Sequence, residues 1–152
     1  MRVLENGPMT GSPARDIRVS VFDGKMHAVD SNDMAFMLAS SACVKNAIQN
    51  GKPVILEPLY EVEVLCPDDV MGDIMSDLQS RNAMIMGMDS DGHYQKILAR
   101  IPLRELYKYS STLRSLSQGR AKHTRKFAQY SPVSRDVQDI LVKEYKAEAV
   151  EA

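Results

Sequence analysis

The sequence has little of what secreted or membrane-bound proteins depend on. Its 152 residues include two cysteines, Cys43 and Cys66, whose spacing suits neither a metal site nor a disulfide framework, so a reducing cytoplasm is the expected compartment. No apolar run approaches the ~20 residues of a membrane-spanning helix, and the N-terminus lacks the apolar stretch of a signal peptide. There is no internal repeat and no low-complexity tract. Acids are scarce in one place. From Lys96 to Lys126 the single acid Glu105 stands against nine basic residues, although the whole chain carries a net charge of only −1. That asymmetry points to a nucleic-acid surface, or equally to a solvated face balanced by acidic neighbours in space.

What is present suits one ordinary domain or two small ones, with 44% apolar residues to fill a core. Gly7-Pro8, Gly11 and Ser12-Pro13 break up the first fourteen residues. Asp16 to Phe22 alternates, with Ile17, Val19 and Val21 on one side, as a half-buried strand would. A helix follows from about Asn32 to Gln49, carrying Met34, Leu38, Ala42, Cys43, Ala47 and Ile48 as its apolar stripe, with Cys43 a small buried hydrophobe and Gly51 its stop. Asp30, Ser31 and Asp33 offer N-cap oxygens and first-turn negative charge. Val54-Ile55-Leu56 reads as a short buried strand.

After Glu57-Pro58 the pattern restarts. Tyr60–Leu65 alternates as a strand, Pro67-Asp68-Asp69 opens a helix striped by Val70, Met71, Ile74, Met75 and Leu78, and Ala83–Met88 is a second strand. Asp89-Ser90-Asp91-Gly92 is a hairpin turn returning through Tyr94–Ile101; a helix over 103–113, a strand over 120–130 and a C-terminal helix over 133–147, with Val137, Ile140, Leu141 and Tyr145 inward, complete the chain. The expected fold is α+β: an incomplete β-α-β lobe, then a ferredoxin-like β-α-β-β-α-β domain.

Several clusters read as structural. Met34, Met71, Met75, Met84 and Met86 suit core positions. Asp68, Asp69 and Asp73 complement a helix dipole better than they form a calcium loop. His93 is a solvated turn residue. His27, Asp30 and Ser31 lie too close in sequence for a hydrolytic triad, whose members converge from separate elements.

Nine stretches together resemble the C-terminal end of translation elongation factor G: Asn6-Gly7-Pro8, Asp16-Ile17-Arg18-Val19, Asp23-Gly24 with His27-Ala28-Val29-Asp30-Ser31, Met34-Ala35-Phe36, Pro53-Val54-Ile55-Leu56-Glu57-Pro58, Met71-Gly72-Asp73-Ile74, Asp77-Leu78, Ser80-Arg81, and Leu113 to Ala121. The resemblance implies a fragment: residues 1–57 as the later part of that family's fourth domain, and 58–147 as its fifth domain with a C-terminal helix. It departs from the family's usual residues at Asn82-Ala83, Tyr107-Lys108-Tyr109-Ser110 and Tyr60-Glu61. These departures point to a paralogue.

The resemblance implies a ribosome-binding role without catalysis or metal. Lys25, His27, Asp30 and Ser31 would form a tip entering the decoding site beside tRNA and mRNA. Arg114, Gln118, Gly119, Arg120, Lys122 and Arg125 would contact large-subunit rRNA. GTP and magnesium would belong to missing N-terminal domains of the same chain, and the protein would act as a cytoplasmic monomer without membrane contact. A ribosomal-protection or rescue factor of the same superfamily, a small acylphosphatase-like hydrolase and a protein-interaction module are the alternatives.

Overall fold

The computed structural model describes residues 2–151, which divide into two compact units, 56–132 and 2–55 with 133–151. The chain passes from one unit to the other between 55 and 56, and the C-terminal helix belongs to the same unit as the first segment.

The unit 56–132 follows the expected order. Strand β1 (Leu56–Pro67) leads through a 3-10 turn (Asp68–Val70) into helix α1 (Met71–Ser80), then strands β2 (Met84–Asp91) and β3 (Tyr94–Pro102), a second 3-10 turn (Leu103–Leu106), helix α2 (Tyr109–Leu116) and strand β4 (Lys122–Pro132). All pairs are antiparallel and the sheet order is β2-β3-β1-β4, the ferredoxin-like arrangement. Period-two alternation places Val62, Val64 and Cys66 of β1 fully inside. They meet Ile97, Ala99 and Ile101 of β3, Ile74 and Leu78 of α1, and Tyr109 and Leu113 of α2 in one core.

Details differ from expectation. The hairpin turns one residue pair later than anticipated, at Gly92-His93, where Gly92 takes φ +65° and Asp91 pairs with Tyr94. The helix expected over 103–113 is two pieces, because Lys108 adopts φ +55°, a left-handed conformation that interrupts it. Met71 and Met75 pack against the core, but Met84 and Met86 are exposed: Met84 lies opposite Arg100 on the open face of the sheet, and Met86 falls in the register shift between Ile85 and Gly87.

The second unit contains a short helix α3 (Arg2–Glu5), the long helix α4 (Asp33–Asn50) and the C-terminal helix α5 (Arg135–Glu151). Gly7 sits in a turn closed by its own N–H on the Ser12 carbonyl (3.0 Å); a Cβ there would lie 2.5 Å from that same oxygen, so no side chain fits. Residues 16–22 form no strand. A strand needs a neighbour to take its N–H and C=O groups, and no ladder forms there among the described residues. Val54-Ile55-Leu56 is not a separate buried strand either: Leu56 begins β1 and Val54 is exposed. Ile55 instead bonds the Val133 N–H and the Gln138 side chain.

Helix α4 is capped by Asn32, whose Oδ1 accepts from Ala35 N–H (2.8 Å), not by Asp30 or Ser31. Gly51 does end it, but with φ −78°; the left-handed residue is Lys52. The expected stripe of Met34, Leu38 and Cys43 is exposed, and Val44 is the buried residue of this helix. Among the described residues no sheet lies beside it, and much of its apolar surface stays open. On α5, Val137, Leu141 and Tyr145 are half-buried as expected, while Ile140 is exposed and Val142 takes the inner place.

Candidate nucleic-acid interface

The expected tip is a solvent-facing loop. Asp23 Oδ1 accepts from the Gly24 N–H at 2.7 Å, and Ser31 Oγ accepts from the His27 backbone N–H at 2.8 Å. The second bond closes a turn over 27–31, and the imidazole of His27, with Lys25 and Asp30, is exposed. The Ser31 hydroxyl holds backbone, so its role is to shape the loop. Phe22, 97% exposed, and Val29 also face solvent. An imidazole on such a loop can stack on a base and donate to phosphate.

The basic residues of 56–132 split into two groups. Those of β3 and the turn after it are balanced: Lys96 Nζ lies 2.9 Å from Glu63, an Arg100 nitrogen 3.8 Å from Glu61, and Arg104 Nε 3.1 Å from Glu57. Here the solvated-face alternative holds. Strand β4 differs. It carries Lys122, His123, Arg125 and Lys126 with no acid, and among the described residues Lys122, Arg125 and Lys126 make no ion pair.

Register decides which faces these residues occupy. Lys122, Thr124 and Lys126 lie opposite Leu65, Glu63 and Glu61 on the open face of the sheet, whereas His123 and Arg125 lie opposite the buried Val64 and Val62 on the helix side. Lys122 and Arg125 therefore do not share a surface. At the turn before β4, Gly119 takes φ +80° in open space, so backbone geometry rather than close approach demands the glycine. Arg114 and Gln118 are exposed. Arg120 is committed: its guanidinium grips Asp69 through two bonds (2.7 and 3.3 Å), and its Nε reaches the Ser117 carbonyl. That grip holds the Asp69 carboxyl below its usual range and ties the turn to the start of α1. Ser117 is buried; its hydroxyl donates to the Leu113 carbonyl and accepts from the Ala121 N–H.

Sequence reading missed two features. Arg81 donates to Asp77 Oδ2 (2.9 Å), the Glu105 carbonyl (2.7 Å) and Thr112 Oγ1 (3.1 Å), and lies 5.3 Å from the Tyr109 ring centre. Its spacing of four from Asp77 was the available signal. The Tyr109 hydroxyl is buried without a partner, and burial pushes its pKa far up. His123 meets the same ring edge-on at 5.2 Å; burial, then the Arg125 charge, lowers its pKa. The second feature is an aromatic group, Tyr60, Phe127 and Tyr130, with ring centres 6.0 and 5.3 Å apart along the series. Among the described residues no cluster of His, Cys, Asp or Glu could hold a metal ion, and no helix is long and apolar enough to cross a membrane.

Comparison with known proteins bears on these surfaces. The family model "Elongation factor G, domain IV" matches residues 1–52, and "Elongation factor G C-terminus" matches 54–141. The chain is 42% identical to elongation factor G of Aquifex pyrophilus over 95% of its own length and 21% of that protein's, so it spans about a fifth of that relative. A crystal structure of a Thermus thermophilus protein superposes with a TM-score of 0.83 at 34% identity, over 96% of this chain and 22% of that one.

Proposed function

From the premise that this chain belongs to the elongation factor G family, as its domain IV and C-terminal parts, we propose that it is the ribosome-contacting arm of a translocase. In this reading the 23–31 loop enters the decoding site as tRNA and mRNA move, and the unit 56–132 leans on large-subunit rRNA. The work is steric. His27 supplies a small imidazole contact on a loop turned by the Ser31 hydroxyl, and β4 supplies lysine and arginine for phosphate. No bond is made or broken by these residues; GTP and magnesium would be handled outside them. The protein would act in the cytoplasm as a monomer.

The observation that carries this reading is the pair of family models, matched in order along 1–52 and 54–141. The test is a chimera in which this chain replaces the matching part of the Aquifex elongation factor G. His27→Ala in that chimera should slow single-turnover translocation by about tenfold or more while leaving thermal unfolding unchanged. An unaltered translocation rate would remove the tip role.

A further inference from the structure

The register of β4 creates a feature that charge alone does not. Phe127 lies opposite Tyr60, and Tyr130 opposite Pro58; the register shifts between Leu59 and Tyr60, leaving Ala128 without a partner. Without that extra residue, Phe127 and Tyr130 would fall on opposite faces. The bulge brings both to the helix side, where their rings meet at 5.3 Å and 60°, and Tyr60 backs Phe127 at 6.0 Å. Tyr60 is anchored against the core. Phe127 and Tyr130 are 46% and 51% exposed. Arg125 shares their face two residues away, and β4 contains no acid.

We propose that Phe127 and Tyr130, backed by Tyr60 and flanked by Arg125, form a stacking platform for an unpaired base of single-stranded RNA. Exposed rings beside a guanidinium are what splayed-out bases use, and Arg125 on the same face favours a polyanion over an apolar protein surface. The inference shares the nucleic-acid reading of β4 but adds recognition of single strands over duplex.

The experiment uses the 152-residue chain with a 2-aminopurine-labelled single-stranded RNA and a duplex RNA of equal length. Phe127→Leu and Tyr130→Leu keep apolar volume, and circular dichroism checks their fold. The single strand should bind with quenched 2-aminopurine fluorescence, and each substitution should weaken it about tenfold without changing duplex affinity. Quenching in the unsubstituted protein tests the platform even if a variant fails to fold. Salt-dependent binding of both RNAs with no quenching and no effect of substitution would overturn the platform and leave the basic strand standing. Loss of self-association in the variants at unchanged RNA affinity would overturn it in favour of a protein partner. Binding of neither RNA would overturn both readings.

Discussion

The two units of this chain follow the same local rules and reach different ends. In 56–132, period-two alternation finds two neighbouring strands and two helices, and twelve buried residues close one core. In the other unit, equally regular alternation at Ile17, Val19 and Val21 finds no partner strand, and the buried hydrophobic residues described there are Val3, Val44 and Val133. A pattern in sequence thus specifies which face an element would bury. Whether it is buried depends on what stands opposite.

The sharpest way to break this comparison is to cut the same side chain in both units. Leu78 is fully buried in α1, whereas Leu38 of α4 is 61% exposed. Leu78→Ala should cost about 3 kcal/mol through lost burial and the cavity left behind. Leu38→Ala should cost less than about 1 kcal/mol. Residue-resolved amide exchange measures both, since it reports each unit separately. Equal losses would mean that α4 is covered in solution and that the contrast between the units is wrong.

The contrast also explains what could be read in advance. Val62 and Val64, and the stripe of Ile74 and Leu78, were legible because each pattern is regular and the β-α-β-β-α-β order has few ways to close. The face of α4 was not, because Met34, Phe36, Met37 and Leu38 spread apolar groups around the helix and leave the choice to a neighbour. Charge on β3 and β4 was legible as a total but not as a division. Only the register reveals that Lys96 and Arg100 meet Glu63 and Glu61 while Arg125 sits on the other face. A one-residue bulge such as that at Ala128 leaves no mark in composition, so the ring pair it creates was invisible.

A second, smaller effect sharpens the comparison within 56–132. Arg81 and Arg120 each bind a carboxylate, but Arg81 is sunk between α1 and the 105–112 segment, while the Arg120–Asp69 pair is open to solvent. Arg81→Ala should cost about 2 kcal/mol, because it strands the Glu105 carbonyl and uncovers Tyr109. Arg81→Lys should recover less than half, since one ammonium cannot reach three acceptors in the plane a guanidinium spans. Arg120→Ala should cost less than Arg81→Ala. Chemical denaturation of the three variants checks the order, and a larger loss at Arg120 would reverse it.

The smallest expected effect is a pH slope from the same core. His123 stands edge-on to Tyr109 with Arg125 on its face, and burial, reinforced by Arg125, lowers its pKa below 6.5. The unfolded chain therefore takes up a proton at higher pH than the folded one does. The contribution is present above pH 6.5 and is lost as pH falls from there through the folded value. The denaturation midpoint should drop between about pH 7.5 and 5.5, and His123→Gln, which cannot be protonated, should flatten that drop. Asp69 carries the same sign at more acid pH, where its Arg120 bond depresses its pKa from 3.8, so the two separate by range. Parallel midpoint curves for His123→Gln and the unsubstituted protein above about pH 5.5 would mean that His123 titrates alike in both states, and that its ring is not held in the core by Tyr109.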